Sequence, residues 1–230
     1  MTHQLALQIG LSERSTFDNY LSASNRAAVD SVQQVLEQDN QFLYLWGKRG
    51  SGKTHLLQAA CHQLTAQNKT SAYLPLVKAM GQSDLSPQMI DGLETLSLVC
   101  IDDIHAIAGQ REWEVALFDL HNRIRDIGSR LIIAGESSPA ALGFELKDLT
   151  SRMTAALVFQ LRELDDEGKI QALQRRADGR GVELPSDVAS YMLKRCPRDM
   201  NALFGLLDRL DQASLSAQRK LTIPFVRGLI

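Results

Sequence analysis

The hydrophobic residues of this chain follow one pattern up to about residue 161 and another pattern after it. In the first part, short apolar runs alternate with longer segments whose apolar residues recur at helical spacing. The runs that predict strands are residues 42–46, 72–76, 96–101, 131–134 and 157–160. Strands that alternate with helices favour a parallel sheet covered by helices on both faces. We therefore predict an α/β fold built on a five-stranded parallel sheet.

The part after residue 161 has only helical patterns separated by turn residues. Helix starts are predicted near Asp165, Pro185, Asp199 and Thr222, where capping residues or prolines precede apolar residues at helical spacing. This part is expected to form a small all-helical domain.

These patterns divide the chain into three segments. Residues 1–15 are predicted to be a tail and linker, residues 16–161 an α/β domain, and residues 162–230 a helical domain. With 230 residues and 44% apolar content, the chain can bury a sizeable core.

Charge and cysteine content exclude several classes of protein. The formal net charge of -2 gives no reason to expect a DNA-coating surface. Cys61, Cys100 and Cys196 are widely spaced among apolar neighbours, which is typical of reduced core cysteines and not of a zinc site. Because no export signal and no apolar stretch near ~20 residues is visible, we expect a cytoplasmic protein without a membrane segment.

A phosphate-binding loop motif occupies Gly47 to Thr54, between a predicted strand and a predicted helix. Its glycines, including Gly50 and Gly52, would let backbone N–H groups around Ser51 converge on phosphates. Lys53 would neutralise the β and γ phosphates, and the Thr54 hydroxyl would bind Mg²⁺. The motif predicts nucleotide binding.

Two adjacent carboxylates follow the apolar run that ends at Ile101. In parallel sheets the carboxyl ends of the strands face the ligand crevice. Asp102 is therefore expected to hold Mg²⁺ through water beside Thr54, and Asp103 to orient or activate the water that attacks the γ-phosphate.

The motifs match, in order, the nucleotide-binding module of the DnaA/Hda family of AAA+ ATPases. Residues 16–20 with Ser24 and Asn25 resemble the family's N-terminal linker, residues 43–57 its phosphate-loop block, and residues 102–109 its acidic strand end. Arg152, within Thr150-Ser151-Arg152, is at the position of the arginine finger that reaches a neighbouring subunit's ATP site. The resemblance implies an AAA+ fold with a C-terminal helical lid.

The resemblance also implies ligands and their binding residues. It implies a nucleoside diphosphate, ADP by family expectation, with Mg²⁺. The nucleotide-binding residues that it implies, together with those of the motif, are Phe17, Tyr20, Gly50, Ser51, Gly52, Lys53, Thr54, His55, Arg198 and Asn201. The base itself is not determined, because Phe17 and Tyr20 offer stacking surface to any base.

The resemblance has one visible departure, in the lid, and one unassigned sensor residue. The family's sensor arginine in the lid aligns with Asn201, a neutral amide, and Arg198 three positions earlier is a candidate substitute or a partner of Asp199. The polar residue that senses the γ-phosphate is either Glu136 or Ser137. We therefore expect weak intrinsic ATP turnover.

Two further differences concern DNA. The initiator DnaA continues past its lid into a helix-turn-helix domain, whereas this sequence reaches Ile230 with the lid, so we expect no sequence-specific DNA binding. The connection between residues 76 and 96 is also shorter than the initiator's, which there handles single-stranded DNA.

The N-terminal residues resemble the Q-L-x-L motif by which proteins bind the DNA polymerase III sliding clamp (beta). Leu5, Leu7 and Ile9 could fill a groove while Gln4 forms anchoring hydrogen bonds.

The resemblance thus implies a negative regulator of replication initiation. It would bind the clamp, dock on the initiator DnaA, and use Arg152 to stimulate the initiator's ATP hydrolysis. A homo-oligomer that depends on the nucleotide is also expected. A stand-alone ATPase that loads a helicase or remodels a partner, and a small-molecule kinase, remain alternatives.

Overall fold

The computed structural model describes residues 15–80, 86–217 and 219–229, and their contacts divide the chain into two compact units, with the second beginning at Glu163. The first unit contains a parallel sheet of five strands: β1 Phe42–Trp46, β2 Ser71–Pro75, β3 Leu98–Asp102, β4 Leu131–Gly135 and β5 Leu157–Gln160. The strand order is β2-β3-β4-β1-β5, and every neighbouring pair is parallel. The predicted five-stranded α/β fold is confirmed.

Helices cover both faces of this sheet, which explains why its central strands are apolar throughout. The helices of this unit are α1 Arg26–Glu37, α2 Lys53–Ala66, α3 Leu76–Met80, α4 Arg111–Ile127 and α5 Lys147–Ala155. Successive residues of β1 point to opposite faces. Leu43 and Leu45 pack with α1 and α2, whereas Tyr44 packs with the core formed by α4 and α5.

Strands β2, β3 and β4 differ from their predicted bounds by one or two residues. Strand β2 ends at Pro75, which has no N–H group to donate, and Leu76 begins α3 instead of ending the strand. Strand β3 begins at Leu98, because the preceding Ser97 bonds through its N–H group to Thr70 in the turn before β2.

The second unit consists of four helices among its described residues: α6 Asp166–Asp178, α7 Ser186–Arg195, α8 Met200–Ala217 and α9 Ile223–Arg227. The predicted helix starts are confirmed, and Asp165 caps α6 by accepting a hydrogen bond from Gly168 N at 2.8 Å. Leu173, Leu203 and Leu207 are fully buried at the centre of this unit. Within the described part of the chain, no helix has the length and hydrophobicity needed to cross a bilayer.

Candidate nucleotide-binding site

The phosphate loop joins the end of β1 to the first residue of α2, as its sequence predicts. Gly47 N donates to Gly135 O at 3.3 Å, which fixes the start of the loop beside the end of β4. Gly50 and Gly52 have φ angles of +83° and +93°, in the left-handed region that side chains disfavour. The glycines are therefore required by the loop conformation.

Lys53 lies under this loop, with only 6% of its surface exposed. Its Nζ atom donates to Gly47 O at 2.7 Å and to Lys48 O at 3.0 Å. Burial lowers the pKa of Lys53, while the nearby charges of Asp102, Glu136 and Asp103 oppose that shift. The ammonium group is thus held at the loop, where its charge is available to phosphates.

Ser51 carries a hydroxyl that fits an anion. Its Oγ atom is buried and has no hydrogen-bond partner among the described residues. A buried hydroxyl normally has a partner, so this one is suited to a ligand. Together with Lys53 and the loop glycines, it fits a phosphate group.

Thr54 and Asp102 lie side by side at the candidate metal position. Thr54 Oγ1 donates to Asp102 Oδ2 at 2.6 Å, and Asp102 is only 1% exposed. The structure thus brings together the two residues predicted to hold Mg²⁺. A hydroxyl and a carboxylate oxygen are the ligand types that Mg²⁺ prefers.

Tyr73 is a third member of this group, and no motif in the sequence predicts it. Its hydroxyl donates to Asp102 Oδ2 at 2.9 Å from the neighbouring strand β2. The pKa of Tyr73 is raised mainly by burial and, to a smaller extent, by the adjacent carboxylate of Asp102. A tyrosine within an apolar strand is indistinguishable from a core residue until the strand order is known.

Asp103 follows Asp102, the last residue of β3, and precedes a short turn. Its φ angle of +58° is uncommon for a residue other than glycine, although aspartate tolerates it better than most. Burial and the charge of Asp102 raise the pKa of Asp103, while His105 and Lys53 lower it. Asp103 therefore faces the same group of charges as Lys53.

Glu136 belongs to this charged group as well. It follows the last residue of β4, and its Oε1 atom lies 4.0 Å from His105 Nε2. The next residue, Ser137, contributes its carbonyl oxygen, which accepts a 2.9 Å hydrogen bond from Tyr44 on the other side of the strand end. Glu136 and Ser137 are the two candidates for the residue that senses the γ-phosphate. Of these, Glu136 carries a charge that raises the pKa of Lys53 and of Asp103.

The predicted linker contacts the loop and the first turns of α2. Tyr20 packs so closely on Gly52 that a Cβ atom there would lie 2.7 Å from its ring. His55 Nε2 donates to Thr16 O at 2.8 Å, and the His55 and Tyr20 rings meet edge to face at 5.3 Å. Phe17 is partly buried against the core beneath α2. The structure thus places Tyr20 and His55 beside the phosphate loop, whereas the contact described for Phe17 is with the core.

Arg152 lies in the last turn of α5, immediately before β5. Its side chain is partly exposed and forms no ion pair with any residue in the described ranges. A guanidinium that pairs with no carboxylate in the described part of the chain is available to an anion supplied from elsewhere.

The two candidate lid residues belong to the second unit and are described within it. Arg198 is largely exposed and its Nη1 atom lies 3.4 Å from Asp166 Oδ1, while Asn201 is exposed in the first turn of α8. Arg198 thus pairs with Asp166 and not with the adjacent Asp199, whose side chain accepts from Ala202 N. The predicted clamp-binding residues Gln4, Leu5, Leu7 and Ile9 lie outside the described residues.

Comparison with known proteins identifies the family. The family model of the bacterial DnaA ATPase domain matches residues 11–160, more than half of the chain. The chain belongs to the DnaA/Hda family of AAA+ ATPases. The family model of the Hda lid domain matches residues 166–230, so that the predicted lid of this DnaA/Hda-family protein is confirmed.

Solved structures agree with the fold. Domain III of the Thermotoga maritima replication initiation protein DnaA has a TM-score of 0.80 at 22% identity, over 96% of this chain and 97% of that one. AMPPCP-bound DnaA from Aquifex aeolicus has a TM-score of 0.68 at 22% identity, over 87% of this chain and 66% of that one. The Thermotoga maritima Holliday junction branch migration motor RuvB has a TM-score of 0.67 at 15% identity, over 93% of this chain and 70% of that one.

Family membership and site geometry agree on the general role. The DnaA/Hda-family protein is a replication-related AAA+ protein with a site of the kind that binds nucleotides. Its sheet, lid and phosphate loop are those of the family.

Proposed function

We propose that this protein regulates the initiation of chromosome replication by stimulating ATP hydrolysis in the initiator DnaA. The observation that carries this proposal is Arg152, a partly exposed arginine at the family's finger position, which has no carboxylate partner among the described residues. It would insert against the γ-phosphate bound by the initiator and stabilise the charge of the transition state. A finger arginine of this kind accelerates hydrolysis by ~10³ to 10⁵.

The protein's own site would bind a nucleoside diphosphate, ADP by family expectation. Lys53, the unpartnered Ser51 hydroxyl and the glycines of the loop fit its phosphates. Thr54 and, through water, Asp102 would hold Mg²⁺, which would neutralise part of the phosphate charge. Tyr20 lies beside the loop, and it would contact the base together with Phe17, which lies three residues before it in the linker.

This nucleotide would serve mainly as a structural ligand. Asn201 replaces the lid arginine that would sense the nucleotide in the initiator, so intrinsic turnover is expected to be weak. A nucleotide that binds one oligomeric state more tightly than another shifts the equilibrium toward the first state. We therefore infer that homo-oligomerisation depends on the nucleotide.

The N-terminal segment would tether the protein to the DNA polymerase III sliding clamp. Gln4, Leu5, Leu7 and Ile9 have the pattern of a short peptide that fills an apolar groove. Tethering would raise the local concentration of the protein at clamps that remain on newly replicated DNA. Initiator bound to ATP would then be inactivated after replication has begun.

The deciding experiment measures phosphate release by ATP-bound initiator DnaA in the presence of this protein and DNA-loaded clamp. The wild type is compared with Arg152→Ala, with a variant lacking Gln4 to Ile9, and with Arg125→Ala as a control on an exposed arginine that pairs with Asp126. We expect acceleration by the wild type and the control, and none by the other two.

Three results would contradict this proposal. Unchanged initiator hydrolysis with the wild type would exclude stimulation in trans. Brisk hydrolysis by the protein alone would favour the stand-alone ATPase, whose required residues Lys53, Thr54, Asp102 and Asp103 are all present. Brisk turnover only with a small acceptor would favour a kinase.

A further inference from the structure

Glu114 is a fully buried carboxylate in the first turn of α4, and it lies outside the nucleotide site. Its exposed fraction is 0%, yet no basic side chain pairs with it among the residues described. Three backbone N–H groups bond to it instead. Gly109 N donates to Oε1 at 2.8 Å, Glu145 N donates to Oε1 at 3.2 Å, and Leu146 N donates to Oε2 at 2.8 Å.

These donors come from two segments that are far apart in the sequence. Gly109 ends the tight turn that begins at Asp103, a turn held together by backbone hydrogen bonds from Ala106 N to Asp103 O at 2.9 Å and from Gln110 N to Ile107 O at 2.9 Å. Leu146 is the N-cap residue of α5, the helix whose last turn carries Arg152. One carboxylate therefore bonds both to the turn after the acidic strand and to the start of the arginine helix.

Apart from these hydrogen bonds, the contacts at the start of α5 are apolar. Leu146 provides no side-chain cap, but its side chain and that of Phe144 pack against the core. Leu149 and Met153 are buried in the same core further along the helix. Apolar contacts are non-directional, whereas a hydrogen bond weakens when its distance or angle changes. A small shift or tilt of the helix is therefore opposed more strongly by the hydrogen bonds than by the apolar contacts. A carboxylate near a helix N-terminus is also favoured by the helix dipole. Glu114 is thus the polar group that sets the position of this end of α5.

We propose that Glu114 is a positioning residue for Arg152, because its carboxylate fixes the N-terminus of α5 relative to the turn that begins at Asp103. The proposal rests on the proposed function of Arg152. A finger arginine acts only if its guanidinium reaches the reacting phosphate in the correct place, and a shift of about 1 Å can lower a rate by as much as a hundredfold. The turn that begins at Asp103 and the helix that carries Arg152 are thus both hydrogen-bonded to Glu114.

The test uses Glu114→Gln, which preserves size but can satisfy only part of the donor set. If the glutamine oxygen replaces Oε1, its NH₂ group faces the N–H group of Leu146, and in the flipped orientation it faces those of Gly109 and Glu145. We expect the maximal rate of stimulated initiator hydrolysis to fall roughly tenfold to a hundredfold. The initiator concentration at half-maximal rate and the affinity for ADP should stay unchanged. Glu112→Gln, in the same helical turn but exposed, is the matched control.

Two further readouts separate positioning from a general loss of structure. The double variant with Arg152→Ala should be no slower than Arg152→Ala alone, because Glu114 acts through that arginine. Amide hydrogen exchange of the isolated protein should quicken in α5 while that of α2 is preserved. If Glu114→Gln does not fold, Glu114→Asp, which keeps the charge on a shorter side chain, should show the same pattern to a lesser degree.

The outcomes distinguish the two proposals. A Glu114→Gln variant that stimulates at the wild-type rate, while Arg152→Ala does not, would overturn the positioning role and leave the proposed function intact. An additive loss in the double variant would also overturn it. Failure of the wild type to stimulate, or full activity of Arg152→Ala, would overturn the proposed function first and the positioning role with it.

Discussion

The side-chain amide of Asn25 pairs with both backbone groups of Arg162, which follows it by 137 positions. Asn25 Nδ2 donates to Arg162 O at 2.9 Å, and Arg162 N donates to Asn25 Oδ1 at 2.8 Å. The same amide donates to the Tyr20 hydroxyl at 3.3 Å. The linker that contacts the phosphate loop is thereby fastened to the last residue of the first unit.

Replacing Asn25 with alanine should destabilise the first unit by about 2–3 kcal/mol. Asn25 is only 5% exposed, and its loss would leave two backbone groups of Arg162 without their partner. Urea denaturation measures the change. Asn201→Ala, at an exposed position, is the control and should cost little. A cost below about 0.5 kcal/mol for Asn25→Ala would show that water replaces the amide without penalty.

Replacing Asp102 with asparagine should weaken nucleotide binding only when Mg²⁺ is present. The asparagine oxygen can still accept from Thr54 and Tyr73, while its NH₂ group faces the N–H group of Asp103, so the fold should persist with some loss of stability. The lost negative charge should reduce the affinity roughly tenfold to a hundredfold in Mg²⁺, whereas in a chelator the affinity should not fall, because the same carboxylate repels a metal-free phosphate. Titration calorimetry under both conditions measures this. Asp119→Asn, at an exposed position on α4, is the matched control. Equal losses in both conditions would contradict a metal role for Asp102.

Much of the fold and of the phosphate site follows from the sequence alone. Strands buried on both faces read as continuous apolar runs, and β1, β3 and β4 are such runs. The phosphate loop and Asp102 are recognisable because backbone conformation and ligand chemistry permit few residue types there.

The partners of these residues could not be predicted, because they depend on tertiary structure. Tyr73 reaches Asp102 only since β2 lies beside β3 with Pro75 opposite Asp102. Glu114 has the sequence pattern of an ordinary acidic residue in the first turn of a surface helix, yet it is completely buried. Its role depends on two loops that meet only in the folded chain.

Replacing Glu136 with glutamine should strengthen binding of a triphosphate relative to a diphosphate. The charge of the Glu136 carboxylate raises the pKa of both Lys53 and Asp103, so this carboxylate lies near both groups. It is therefore near the position of a terminal phosphate bound by Lys53. Two carboxylates beside one phosphate repel it. We expect the affinity for ATP to rise roughly tenfold and that for ADP to change little.

Competition binding with both nucleotides in the same buffer measures that ratio. Ser137→Ala is the matched control, since it retains the carbonyl that accepts from Tyr44 and should leave the ratio unchanged. A change caused by Ser137→Ala, and none by Glu136→Gln, would assign phosphate sensing to the serine.

The stability of the first unit should fall between pH 7 and pH 5 because of His121 on α4. Burial, followed by the charges of Arg152 and Arg125, lowers the pKa of this histidine from 6.5 to about 4. Between about pH 6.5 and pH 4, His121 is therefore protonated in the unfolded chain but not in the folded chain. The free energy of unfolding is highest above about pH 6.5 and falls as the pH approaches 4. The expected loss between pH 7 and pH 5 is about 1–2 kcal/mol.

Two variants identify the group responsible for this loss. His121→Phe keeps an aromatic ring to stack on Phe42, where the centroids lie 4.4 Å apart, and should flatten the dependence because nothing there can bind a proton. Arg152→Ala should raise the pKa of His121, since a nearby positive charge is removed. Denaturant unfolding at each pH and an NMR titration of the imidazole measure both effects. If His121 titrates near pH 6.5 in the folded protein, Arg152 and burial do not act on it as the structure indicates.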